Sequence, residues 1–164
     1  MDWVESAGGP LLAAPASQLV HWEGVTDDDG PVESWGDYGR ACAVEGYIGL
    51  VDIGAGQGLV LGDEPALTTY LPDQRLFLRW VAANSEEELV LAAKEAVRAF
   101  TWDEELAWDV DGPIVLFDSP WAGATPEPGN HLIIDLAPGR YRVRAGYEEA
   151  GTNWMILVDL TPAP

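Results

Sequence analysis

The chain has 164 residues, 48% of them apolar and eight of them Trp, so it is the size of one ordinary domain and has enough core-forming residues to fold without disulfide or metal staples. Twenty-eight Asp and Glu against eight Lys and Arg give a formal charge of −20. That charge excludes a generic DNA or RNA binder and argues against attraction to an anionic membrane surface, since both need cations. No apolar run approaches the ~20 residues that span a bilayer, and the single cysteine, Cys42, has no internal partner.

Leu11–Ala16 is apolar and ends in Ala-Pro-Ala, which looks like a small-residue cleavage site. A signal peptide also needs a cationic start and a longer apolar stretch. Here Asp2 and Glu5 open the chain and no Lys or Arg precedes Arg40. The expectation is a cytoplasmic protein whose first residues belong to the fold. Residues 23–36, rich in Gly, Pro and acids, read as a surface loop, and 37–44 as a short helix in which Cys42 is a small buried hydrophobe. Tyr47–Ile53 and Leu59–Leu61 flank Gly54-Ala55-Gly56-Gln57-Gly58 and read as a hairpin. A phosphate-binding loop would need a helix after the glycines, and Leu59-Val60-Leu61 is strand-like. Asp63-Glu64-Pro65 reads as an interface element or, in preference, as a bend stiffened by its proline. Arg75–Val81 is a strand with Leu76, Leu78 and Trp80 on one face.

One helix is clear. Asn84 or Ser85 can cap it, Ser85 to Glu88 has capping-box spacing, and Glu86, Glu87 and Glu88 complement the helix dipole. Leu89, Ala92, Ala93, Ala96, Val97 and Phe100 then recur on one face. Ile114–Phe117 is continuously apolar and suits a sheet interior. After a loop over 119–130, His131–Leu136, Arg140–Tyr147 and Trp154–Leu160 alternate and read as an antiparallel meander. Trp80 and Trp154 are expected in the core, Trp35 and Trp121 on loops. Arg140, Arg142 and Arg144 share a strand face, where pairing with Asp135 or Asp159 is expected. The total is about ten strands with one or two helices: a mainly antiparallel β domain of the α+β class spanning residues 1–164, with 161–164 a frayed tail.

Candidate chemistry is sparse. His21 and His131 lack metal-site spacing, and Asp27-Asp28-Asp29-Gly30 lacks the alternating acids and closing Glu of a calcium loop. No Ser sits in a nucleophile elbow, and Ser119 has no histidine nearby in sequence. No catalytic, cofactor or metal residue is assigned, and an enzyme is not expected. What remains is an acidic surface with loop aromatics, which fits a basic macromolecular partner: aromatics supply buried area and charges supply steering. Asp27, Asp28, Asp29, Glu33, Trp35, Asp37 and Tyr38 form the candidate patch. Two alternatives stay open, a carbohydrate-active or carbohydrate-binding domain with Trp platforms and paired carboxylates, and an acidic mimic of nucleic acid. Acids and bases are spread evenly, each half of the chain carrying −10, and codon bias or adaptation to salt also yields such acidity.

Several strings in order carry a resemblance. They are WVESAGGPLLAAP (3–15), DYGRACAVEGYIGLVDIG (37–54), LVLGDEPALTTYLP (59–72), LFLRWVAANSEEE (76–88), GPIVLFDSP (112–120) and PGRYRVRAGYE (138–148). In these the chain resembles the immunity protein 21 family of bacterial polymorphic toxin systems. The resemblance implies a non-enzymatic antidote that binds a cognate toxin domain in the producing cell. It brings no catalytic residues and does not identify the toxin.

Overall fold

The computed structural model describes Met1–Pro164. In chain order its strands are Leu11–Pro15 (β1), Ile48–Ile53 (β2), Gly56–Leu61 (β3), Leu67–Leu71 (β4), Leu76–Ala82 (β5), Glu104–Val110 (β6), Ile114–Asp118 (β7), His131–Ile134 (β8), Gly139–Ala150 (β9) and Asn153–Pro162 (β10). Two α-helices, Asp37–Cys42 (α1) and Glu86–Ala96 (α2), complete it with short 3-10 turns. The strands form two antiparallel sheets in the orders β2-β3-β1-β7-β8 and β4-β5-β10-β9-β6. The expected α+β, mainly antiparallel class is therefore found.

The run that superficially suggested an export signal is the central strand of the first sheet. All five residues of β1 are buried, because both of its faces are covered. Leu11 and Ala13 face the second sheet, in a core shared with Leu59, Phe77, Leu116, Val143 and Val158. Leu12 and Ala14 face the other way, against Trp22, Phe117 and Ala41 of α1. On the far face of the second sheet, Leu89 and Ala93 of α2 pack on Leu76, Leu78, Met155 and Leu157. The order of layers is thus α1 with its loops, first sheet, second sheet, α2.

The start of α2 follows the expected chemistry. Ser85 has extended backbone angles, and its hydroxyl oxygen accepts the Glu88 backbone N–H at 3.2 Å. The hairpin across Gly54-Ala55 is also as expected, with Ile53 opposite Gly56. The meander over 131–160 is corrected. β9 and β10 do form a hairpin, but β9 runs on to Ala150, so residues 148–150 belong to strand and only Gly151-Thr152 turn. β8 lies in the other sheet beside β7, with Leu116 opposite Leu132. Alternation puts Leu132, Ile134 and Leu136 on one face, which is the face that meets the core, but it does not specify which sheet supplies the neighbouring strand.

Two further expectations change. Trp154 is 40% exposed, because it stands at the turn end of β10 opposite the exposed Glu149, beyond the core, with its indole N–H donating to the Gly151 carbonyl at 3.2 Å. Trp80 is partly buried, edge-on to Trp3. Thr161 and Pro162 continue β10 opposite Arg142 and Tyr141, and the Ala163 N–H donates to the Arg140 carbonyl at 2.8 Å, so the tail does not fray there. The arginine face behaves as expected towards Asp159, which pairs with Arg144 at 2.8 Å. Arg140 and Arg142 turn instead to Asp109 and Glu105 on β6, the strand beside them, and Asp135 takes no part.

Candidate functional site

The acidic segment is a loop closed at its base. Val25 and Gly36 form an isolated antiparallel bridge, and the Tyr38 N–H donates to the Gly24 carbonyl at 3.1 Å. Both glycines are required. Gly24 has φ 69° and a Cβ there would lie 2.3 Å from the Pro120 carbonyl oxygen; Gly36 has φ 74° and a Cβ there would lie 2.2 Å from the Thr26 hydroxyl. Above this neck, Asp27, Asp28, Asp29 and Glu33 are all exposed. The Asp29 N–H donates to the Asp27 carboxylate at 3.0 Å, which orders the tip without consuming its charge.

The aromatic and acidic residues at the end of this loop have different surroundings. Trp35 stacks on Tyr38 with centroids 6.4 Å apart, and its indole N–H donates to the Gly30 carbonyl at 3.3 Å. Asp37 is tied inward: one carboxylate oxygen pairs with Arg40 at 2.8 Å and the other accepts the Glu23 N–H at 2.8 Å. Arg40 in turn lies over the buried Trp22 ring at 5.5 Å. Tyr38 packs against the amino-terminal loop, where a Cβ on Gly9 would lie 2.3 Å from its hydroxyl oxygen. Burial, helped by the neighbouring Cys42 thiol, pushes the Tyr38 hydroxyl up to about 12. Four of the seven candidate residues, Asp27, Asp28, Asp29 and Glu33, are therefore exposed, Trp35 is partly buried against Tyr38, and Asp37 and Tyr38 hold α1 in place.

Tyr38 and Cys42, together with Gly62, Asp63, Glu64 and Pro65, line an open groove of about 300 Å³. Cys42 is partly rather than fully buried, and burial pushes its thiol above the ordinary range. The Asp63-Glu64-Pro65 bend is organised by a residue that pattern reading did not single out. Arg79, fully buried on β5, donates to the carbonyls of Gly62 and Glu64 and to the Thr68 hydroxyl. The visible signal was a cation inside the apolar string LFLRWVA, on the same strand face as core Phe77. Asp118, at the end of β7, was also missed. It is 1% exposed, one oxygen accepts the Ala7 N–H at 3.0 Å, and the other has no partner.

No three His, Cys, Asp or Glu side chains are grouped to hold a metal ion, and no helix is long and apolar enough to cross a membrane. Trp121, at 40% exposure, stands on its loop as expected. The molecule is thus a two-sheet β protein with one helix packed on each outer face. A family model described as Immunity protein 21 matches residues 2–153, and the chain belongs to that family. Neither the curated proteins nor the solved structures yield a match to it.

Proposed function

We propose that the chain is a cytoplasmic antidote that neutralises a cognate toxin domain by covering a basic surface of it with the 27–35 loop. Membership in an immunity family supports a toxin as the partner. The observation that carries the location is where the cations are used. Arg40, Arg140, Arg142 and Arg144 are committed to ion pairs within the chain, and Arg79 is buried. None of those pairs reaches Asp27, Asp28, Asp29 or Glu33, so that loop keeps its full negative charge beside Trp35. Uncompensated charge next to an aromatic steers encounter and then supplies apolar contact.

The test is stopped-flow association with the toxin domain encoded beside this chain. Replacing Asp27, Asp28 and Asp29 together by Lys is expected to slow association about tenfold or more in low salt. The gap should close as salt rises, because the Debye length shrinks. An unchanged association rate removes this loop from the interface.

A further inference from the structure

Edge strands present a row of unpaired N–H and C=O groups, and stable β proteins shield them. Three of the four edges here are shielded. At β4, the Val4 N–H donates to the Thr68 carbonyl at 2.8 Å and the Thr68 N–H returns to Val4 at 3.0 Å. β6 carries Glu105 and Asp109, each ion-paired to an arginine of β9. At the start of β2, the Glu104 carboxylate takes the N–H groups of Tyr47 and Ile48, and Asp52 stands exposed.

β8 has none of these devices. His131–Ile134 pair with β7 on one side and make no other backbone hydrogen bond. Ile133 in this strand is 74% exposed, the most exposed large apolar side chain of the molecule. A groove of about 270 Å³ runs along the free edge, between β8 and the side formed by Met1, Asp2 and Tyr70. Met1 is itself 64% exposed. An unpaired backbone edge beside a groove is the setting of strand addition, in which backbone bonds give affinity and pockets for side chains give selectivity.

We propose that β8 is a docking strand for an extended segment of the toxin, with apolar side chains seated against Met1, Tyr70 and Leu132. Charge selects that occupant. Asp2 and Asp135 are both exposed, border the groove and belong to no ion pair, so the segment carries Lys or Arg opposite them. A second copy of this chain would bring another −20 to the same edge. The assignment of the toxin as occupant rests on the antidote reading above; the bare edge and its groove do not.

The experiment is hydrogen exchange on the full chain with and without the toxin domain encoded beside it, joined to affinity measurements on Ile133→Lys and Ile133→Val. Slowed exchange over 131–135 is expected. Ile133→Lys, which adds a charge to an already exposed position, is expected to weaken binding about tenfold or more with an unchanged melting temperature, while Ile133→Val stays within about threefold. Toxin binding without protection of 131–135, and unaffected by Ile133→Lys, overturns β8 as the docking strand and leaves the antidote reading standing. No binding by the unaltered chain overturns the antidote reading and the toxin as occupant together. Protection of 131–135 that appears without toxin and grows with protein concentration assigns the edge to a second copy, and also overturns the proposal.

Discussion

The guanidinium of Arg79 donates to the backbone carbonyl of Glu64 at 2.6 Å, so a fully buried cation on β5 fixes an exposed acidic turn from below. That turn, Gly62–Ala66, carries the chain from the first sheet to the second. Arg79 also donates to Gly62 and Thr68, so one side chain holds both ends of the crossing. Burial pulls its pKa down to about 10, opposed by Asp63 and Glu64, and it stays charged at neutral pH. No carboxylate pairs with it directly; the cation is satisfied by backbone oxygens and a hydroxyl, with the two acids as a more distant countercharge.

Replacing Arg79 by Met is therefore expected to destabilise the chain by about 3 kcal/mol, since a buried carbonyl, a partly buried one and a buried hydroxyl lose a charged donor together. Arg79→Lys should recover only part of this, because one ammonium cannot reproduce the planar fork that reaches three acceptors. Urea unfolding of the two variants measures both. A loss below about 1 kcal/mol for Arg79→Met would mean that the turn is held by its own proline and backbone.

At α2, two substitutions separate capping from packing. Ser85→Ala removes the acceptor for the Glu88 N–H and should cost about 1 kcal/mol. Leu89→Ala empties a fully buried position against the second sheet and should cost about 2–5 kcal/mol. The sites are one turn apart, so the double variant reports whether the cap matters once the helix is loosened from the sheet.

What the amino-acid pattern made legible follows from which interactions are local. α2 was readable because its cap, acidic first turn and apolar face all lie within sixteen residues, 85–100. The core-facing side of β8 was readable from alternation, but its neighbour was not, since pairing with β7 is settled by sheet-on-sheet packing. Trp154 was misplaced because alternation assigns a face but does not show where along the strand the core ends, and Trp154 lies at the turn end of β10 opposite the exposed Glu149. In the candidate loop, exposure of Asp27, Asp28 and Asp29 was evident from composition, whereas the inward ties of Asp37 to Glu23 and Arg40 depend on how the loop neck closes. The cation in LFLRWVA was visible, but the partners of Arg79 were not, because its acceptors at Gly62 and Glu64 are backbone oxygens, which no residue pattern advertises.

Cys42 is expected to alkylate slowly. It is partly buried in the groove wall, and burial keeps its thiol protonated above the ordinary range, so little thiolate is present at neutral pH. Its iodoacetamide rate at pH 7.5, compared with that of free cysteine, should be lower by about tenfold or more and should rise steeply with pH. A rate equal to free cysteine would show that the wall formed by α1 opens in solution.

Asp118 gives a pH-dependent prediction whose sign is fixed by its surroundings. Burial, with one carboxylate oxygen unpartnered, raises its pKa, although the backbone N–H groups of Ala7 and Ser119 oppose the shift. The folded chain therefore holds this proton to higher pH than the unfolded chain does. The stabilising contribution is complete below the unfolded carboxylate range and is lost as pH rises through the folded value. Asp118→Asn keeps an acceptor for the Ala7 N–H and removes the buried charge. It should be more stable than the parent at pH 7 by about 1 kcal/mol, and the advantage should fade towards pH 4 as the parent becomes protonated, near the ordinary carboxylate range. Chemical denaturation of both proteins at the two pH values reads this difference free of the other acids, which titrate alike in each. A variant less stable than the parent at pH 7 would show that the ionised carboxylate is needed to hold the amino-terminal loop through Ala7, and that its burial is compensated.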